Sequence, residues 1–385
     1  MSDYRGYGAI ALMALFFSGC GTGTLETSGT GGAAAGGGAG HGGSTAVTSA
    51  AGGGSPASTG AGGMGGSGGL VDPGTEGDGD RDIGPDYNDA PEVADVDGVP
   101  KGTIISFKML SSESTIYPGD APKTGAYTRQ VRVYVPKQYV KGTPAPVMVV
   151  QDGGNYVDVL SRTLNNLIDA KKLPVMVAVF ADSGGGDYLQ SERGIEYDTL
   201  SGTYAQWADT ELLPRAELET QKQLSDQAVT FSHDPEARGA MGGSSGGNAA
   251  FTMLWYRPDL FRRAVTFSGT FVIQEWPVNP EHPLGGWNYH DDQDIDEGGL
   301  IAKQATRKPI RAWLESGTND LGSGDPASTH RNFDLANQRM AVKLAAKGYH
   351  YHYDHAEGAN HVDDRVVKQT LPEALLWTWR GFPIQ

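Results

Sequence analysis

The segment Arg238–Phe251 constrains the fold more tightly than any other part of the chain. An apolar stretch ends in Gly242-Gly243-Ser244-Ser245-Gly246-Gly247, and Ala249-Ala250-Phe251-Thr252-Met253-Leu254 follows as a helix-forming run. The reading is strand, tight turn, helix. In the pattern Gly-x-Ser-x-Gly the serine sits on a strained turn, so residues without a Cβ are needed beside it. Two frames satisfy the pattern, one centred on Ser244 and one on Ser245. Either one presents a hydroxyl at the C-terminal edge of a sheet, beside the positive end of a helix dipole.

The surroundings fit a layered α/β domain over residues 99–385. Pro146–Val150 and Leu173–Phe180 are continuous apolar runs, and Arg263–Ser268 and Ile310–Glu315 are similar. Short uninterrupted runs suit central parallel strands buried on both faces. Gly102–Lys108 and Gln130–Val135 read as a half-exposed antiparallel pair. Phe333, Ala336, Met340 and Leu344 mark one face of a helix that Gly348 can end. Leu371-Pro372 reads as the start of the last helix. The class expected is therefore α/β, a mostly parallel central sheet flanked by helices on both faces.

A serine hydroxyl needs a base to become a nucleophile. His361 lies in the Gly-containing loop Glu357–His361, after a strand and before the last helix. His350, His352 and His355 lie in or beside that strand and suit packing; His330 is near a helix start. Asp320 follows the strand Ile310–Glu315 in the loop Gly317-Thr318-Asn319-Asp320, with Asp334, Asp363 and Asp364 as rivals for the orienting acid. An oxyanion would need two backbone N–H donors. Ser245, the residue after the nucleophile, offers one, and the loop Gln151-Asp152-Gly153-Gly154-Asn155-Tyr156 offers the other. Residues 270–308 form an insertion read as a cap, carrying Trp276, Trp287, Tyr289 and His290. Asp152, Tyr156, Arg193, Trp287 and His290 are the candidate lining of a substrate pocket.

Taken together, these motifs resemble an enterochelin-esterase-like member of the esterase D group of α/β-hydrolases. The resemblance spans most of residues 98–382. It is carried by Gln151-Asp152-Gly153, by Arg193-Gly194-Ile195-Glu196-Tyr197-Asp198-Thr199 with Tyr204 and Glu211-Leu212-Leu213-Pro214, and by Gly242–Gly247. Gly317–Asp320, Gly358-Ala359-Asn360-His361 and Leu371–Leu375 complete it. The family form Gly-x-Ser-x-Gly-Gly selects Ser244 over Ser245. The resemblance implies a triad of Ser244, Asp320 and His361, Gly154 as the second oxyanion donor, and Arg193 and Glu196 buried near the site. It implies hydrolysis of a carboxylic ester, with no cofactor. A small-molecule, saccharide or siderophore-type ester is the substrate class, and nothing in the sequence marks catecholate-binding residues. Acyl transfer on the same triad, or a silent binding protein on a hydrolase scaffold, are the alternatives.

The first hundred residues read differently. Residues 8–17 form an apolar run followed by Ser18-Gly19-Cys20, and Cys20 is the only cysteine. This resembles a bacterial lipoprotein signal peptide over residues 1–19, with Cys20 as the lipidation site and Phe17 where leucine is usual. Residues 21–70 hold 21 glycines among 50 positions, too little apolar surface to offset the entropy of ordering. Residues 72–98 carry ten acids and one base, a net of −9 out of the chain's −16. Residues 20–98 are therefore expected to be a disordered tether to the cell envelope, with the outer membrane the expected destination. The acidity argues against nucleic acid as a partner. Asp292–Asp296 lacks the glycine and the final acid of a calcium loop, at Glu297 and Lys303. Asp78, Asp80 and Asp82 read as solvated acids too, and no zinc motif is present. Replacing Cys20 by alanine is expected to move the full chain from the membrane to the soluble fraction; unchanged membrane association after fractionation contradicts lipidation there.

Overall fold

The computed structural model describes residues 73–187, 189–291 and 298–384. The signal-like segment, Cys20 and the glycine-rich stretch lie outside the described residues, as does the acidic run Asp292–Asp296. The strands are β1 (Gly79–Ile83), β2 (Thr103–Leu110), β3 (Thr128–Val135), β4 (Pro144–Ala145), β5 (Val147–Gln151), β6 (Val177–Ala181), β7 (Thr230–Phe231), β8 (Arg238–Gly243), β9 (Arg263–Phe267), β10 (Arg311–Asn319) and β11 (His350–Asn360). Nine of them form one sheet in the order β1-β11-β10-β9-β8-β5-β6-β3-β2, while β4 and β7 pair separately. From β1 to β6 all neighbours are parallel, and β3 is antiparallel to both β6 and β2. Every residue of β5, β6, β8 and β9 is buried, as continuous apolar runs require.

The helices are α1 (Val157–Asp169), α2 (Glu192–Asp198), α3 (Thr203–Trp207), α4 (Leu213–Gln223), α5 (Ser245–Tyr256), α6 (Gly299–Lys303), α7 (Phe333–Ala346) and α8 (Asp364–Trp379). Helices α1 and α8 cover one face, packing Leu160, Leu164, Leu371 and Leu375 with Met148, Met241, Val265 and Trp313. On the other face, α5 and α7 pack Ala250, Leu254, Ala336 and Met340 with Val149, Ala240, Ala264 and Leu314. This is the α/β-hydrolase architecture, with β8 and α5 at its centre.

Two expectations need correction. Residues 79–83 are not tether: they form β1, the edge strand beside β11. The acidity that suggested disorder is neutralised by residues far along the chain. Arg81 within the strand pairs with the fully buried Asp354 (2.8 Å) and with Glu373 (2.9 Å), and Asp78 bonds His350 Nδ1 (2.7 Å). Further on, Val93 is buried, and Arg162 and Asn166 of α1 donate to the Val93 and Glu92 carbonyls. The last helix also begins earlier than expected, at Asp364, with the Asp363 side chain capping it through Arg365 N–H. Pro372 is therefore internal. A proline there leaves the carbonyl four residues back without its donor. That carbonyl, of Lys368, accepts the N–H of Ala90 at 3.2 Å, so the N-terminal strap supplies what the proline withholds.

Removing Arg81 leaves the buried Asp354 carboxylate with the His352 ring, at 3.0 Å, as its remaining side-chain partner among the described residues. Arg81→Ala is expected to lower the stability by about 1–3 kcal/mol, read as a lower urea midpoint with unchanged slope. An unchanged midpoint contradicts a docked β1.

Candidate active site

The turn between β8 and α5 is built by close approach. Ser244 adopts φ 56° and ψ −131°, a conformation that side-chain-bearing residues rarely hold. A Cβ at Gly242 would lie 2.5 Å from the Gly246 backbone, and one at Gly243 would lie 2.4 Å from Tyr156 Oη. The turn is held from both sides: Ser244 N–H donates to Phe267 O (2.9 Å), and Thr270 N–H donates to Ser244 O (3.1 Å). Thr270 Oγ1 also stands 3.4 Å from Ser244 Oγ. No sequence pattern singled out Thr270; its position one strand over, after β9, carries the signal only in three dimensions.

The two serines of the turn face different ways. Ser244 Oγ lies 2.9 Å from His361 Nε2, and His361 Nδ1 lies 2.6 Å from Asp320 Oδ1. A ring nitrogen facing a carboxylate carries the proton, which leaves Nε2 as the acceptor toward Ser244. Ser245 Oγ turns inward instead. It donates to Asp198 (3.0 Å) and accepts from Gln274 Nε2 (3.3 Å). The Ser245 N–H, at the first turn of α5, has no protein acceptor among the described residues.

Asp320 sits just past β10, fully buried at its side chain, and Leu321 N–H also donates to it at 2.7 Å. Its rivals are engaged elsewhere. Asp334 bonds Ser316 and Gln338, Asp363 caps α8, and Asp364 pairs with Lys368 at the surface. The His361 ring meets the Phe333 ring edge-on with 5.0 Å between centroids. The following residue, Val362, donates its N–H to Ser268 Oγ (2.9 Å), which pins the loop that carries the histidine. Behind them lies Glu315, fully buried with both carboxyl oxygens unpartnered. Burial, and then the nearby Asp320 and Asp354, push its carboxyl well above the usual range. Burial thus favours its neutral form, while Asp320 is the carboxyl that His361 bonds.

The remaining candidates divide. Gly154 lies in the loop after β5, but its N–H donates to Asp182 Oδ1 (2.7 Å), and Asp182 Oδ2 accepts from Arg132 (3.1 Å). The amide expected to be free for an oxyanion therefore already has an acceptor, because a carboxylate at the end of β6 comes within reach. Asp152 and Arg193 pair at 2.8 Å beside this loop, and the Asp152 N–H donates to Tyr197 Oη (3.1 Å). Glu196 is buried in an ion pair with Arg129. Tyr156 and Val362 both flank Gly243, and both line a cleft of about 260 Å³ shared with Asn155, Val159, Asp364 and Val367. Trp287 and His290 are not among the residues lining this cleft. Both are buried, stacked edge-on at 4.6 Å, and His290 Nε2 bonds Phe271 O at 3.0 Å. Burial pushes the His290 ring down to about 3, so it is neutral. Tyr289 of this insertion packs as core against α5, its ring centroid 5.1 Å from that of Phe251 and 5.9 Å from that of Trp255. The insertion's contribution to the site is Thr270 and Gln274.

A family model described as "Putative esterase" matches residues 126–378, which contain all of these groups. The chain belongs to this esterase family. A search of curated protein sequences returned no match. Among solved structures, the esterase is similar to the enterobactin esterase of Shigella flexneri determined in the presence of enterobactin, at 18% identity and TM-score 0.52 over 74% of this chain and 61% of that one. It is also similar to a CE1 ferulic acid esterase from Anaeromyces mucronatus in complex with ferulic acid, at 15% identity and TM-score 0.50, covering 77% and 98% of the two chains. The esterase thus spans about three-fifths of the length of the enterobactin enzyme.

Asp198, which holds Ser245, is itself buried, and burial pushes its carboxyl from 3.8 to about 7. Folded Asp198 binds its proton more tightly than the unfolded residue does. The stability it lends is complete below about pH 4 and is lost as the pH rises through about 7. Asp198→Asn is expected to gain stability relative to the wild type as the pH is raised across that window, read as the difference in Tm. A pH-independent difference contradicts a neutral, buried Asp198.

Proposed function

We propose that the protein is an extracytoplasmic serine esterase that cleaves a carboxylic ester through an acyl-enzyme on Ser244. The observation that carries this reading is the line Ser244 Oγ, His361 Nε2, His361 Nδ1, Asp320 Oδ1, with contacts of 2.9 and 2.6 Å. In the reaction, His361 Nε2 takes the Ser244 hydroxyl proton as Oγ attacks the ester carbonyl carbon. Asp320 stabilises the imidazolium that results. The tetrahedral oxyanion is met by the Ser245 N–H; for Gly154 to be the second donor, its N–H exchanges the Asp182 carboxylate for the oxyanion. Collapse breaks the C–O bond, and the leaving alkoxide receives the proton from His361. Water, deprotonated by the same ring, then attacks the acyl carbon and releases the acid and Ser244.

The cleft between Tyr156 and Val362 has apolar walls at Val159 and Val367 and polar groups at Asn155 and Asp364, which suits one half of a small ester. Enterobactin and ferulic acid are the ligands of two fold neighbours, so siderophore-type and saccharide-linked aromatic esters are the classes to screen first. The address outside the cytoplasm rests on the signal-like run before Cys20.

The direct test is turnover of p-nitrophenyl acetate. Ser244→Ala and His361→Ala are each expected to lower kcat/KM by about 10⁴-fold or more, with the double variant no worse than either single. Pre-steady-state mixing is expected to release a burst of nitrophenol before the steady rate. Full activity in Ser244→Ala contradicts the assignment.

A further inference from the structure

The opposite end of the sheet carries a feature the ester chemistry does not use. Strands β9, β10 and β11 begin beside a cleft of about 240 Å³, lined by Arg262, Arg263, Arg307, Lys308, Arg311 and Arg380, with His350, Glu236, Pro73, Pro309 and Ile310. Six permanent cations thus meet one lining carboxylate, in a chain whose net charge is −16. Glu236 is consumed by Arg262 (3.0 Å) and Arg263 (2.8 Å). Asp78, just outside the lining, is held by His350 at 2.7 Å and reaches Arg380 at 3.5 Å. Arg307 and Lys308 have no carboxylate partner among the described residues; Arg307 bonds the Gly348 carbonyl, and Lys308 lies 4.9 Å over the Trp255 ring.

Arg311 is the centre of the imbalance. It is 5% exposed, and its Nε and Nη2 are buried with no hydrogen-bond partner. Asp78 comes no closer than 3.9 Å. Its flat face stacks on Trp377 at 4.3 Å and its Nη1 donates to the Arg380 carbonyl (3.2 Å), but Nε and Nη2 are left without an acceptor. Burial, and then repulsion from Arg263 and Arg380, push its guanidinium down to about 9. Buried donors without acceptors cost stability, and a planar fork of N–H groups matches a tetrahedral oxyanion. A ligand with several acceptor oxygens and a double negative charge satisfies both the hydrogen-bond and the charge deficit.

We propose that this cleft is an anion-binding site for a phosphate-type group, with Arg311 at its floor and Arg307, Lys308 and Arg380 at its rim. The group belongs either to an anionic lipid headgroup or to a soluble phosphate compound. Pro73 also lines the cleft. The strand β10, nine residues long, separates the cleft from the Asp320 end of the sheet by roughly 25 Å, so the site is independent of Ser244.

The test uses the full chain with two variants: Arg311→Met, which removes the floor, and the surface pair Arg307→Gln/Lys308→Gln, which leaves the fold intact and p-nitrophenyl acetate turnover unchanged. Inorganic phosphate and pyrophosphate are titrated at constant ionic strength with chloride as the control, reading Tm and binding heat. Flotation with phosphatidylcholine vesicles, with and without phosphatidylglycerol, is run on the same proteins carrying Cys20→Ala. A Tm that rises with pyrophosphate but not chloride, and an apparent Kd weakened about tenfold or more in the surface pair, support the site. Binding to phosphatidylglycerol vesicles that the surface pair loses assigns the group to a lipid; binding to the soluble ions alone assigns it to a free phosphate compound. No response to either source, or responses unchanged in both variants, overturns the proposal.

Discussion

The close approach of β8 to α5 is the constraint on which the site depends. Gly242 has room for no side chain because the Gly246 backbone fills that space, and Gly243 has none because Tyr156 Oη does. With both neighbours reduced to hydrogen, the chain can turn at Ser244 with positive φ and hold its hydroxyl above the sheet edge. The strain is local, and the surroundings over-determine it: Phe267 O accepts from Ser244 N–H and Thr270 N–H donates to Ser244 O.

The electrostatics follow from burial. Asp320 is inaccessible and receives both His361 and the Leu321 amide, so its lone pairs are directed at the imidazole. Glu315 and Asp198 lie nearby but are held toward the neutral form by burial. The three carboxyls therefore do not act alike. Asp320 accepts from the His361 ring, Asp198 accepts the Ser245 hydroxyl and so fixes the first residue of α5, and burial holds Glu315 toward the neutral form.

Much of this is legible in the sequence. The strands β5, β9 and β10 announce themselves as apolar runs, and the elbow does so through its glycines. The resemblance to the family form Gly-x-Ser-x-Gly-Gly selects Ser244 over Ser245, and in three dimensions Ser244 lies beside His361 while Ser245 turns to the buried Asp198. What is not legible depends on distant partners. The acids of residues 78–82 look like a solvated tether until Arg81 meets Asp354 and Asp78 meets His350, each pair some 270 positions apart. Pro372 looks like a helix start because its acceptorless neighbour, Lys368 O, is satisfied by Ala90 from the other end of the domain. Trp287 and His290 look like a cap because an aromatic insertion reads the same whether it covers a pocket or fills a core. The Gly154 amide looks free because Asp182 approaches it only after β6 is laid beside β5.

The most direct measurement of the central claim is covalent capture. Treating the folded esterase with a fluorophosphonate and mapping the adduct by peptide mass spectrometry is predicted to label Ser244 alone, and to leave it unlabelled in His361→Ala. An adduct on Ser245, or labelling of Ser244 that does not depend on His361, would contradict the account.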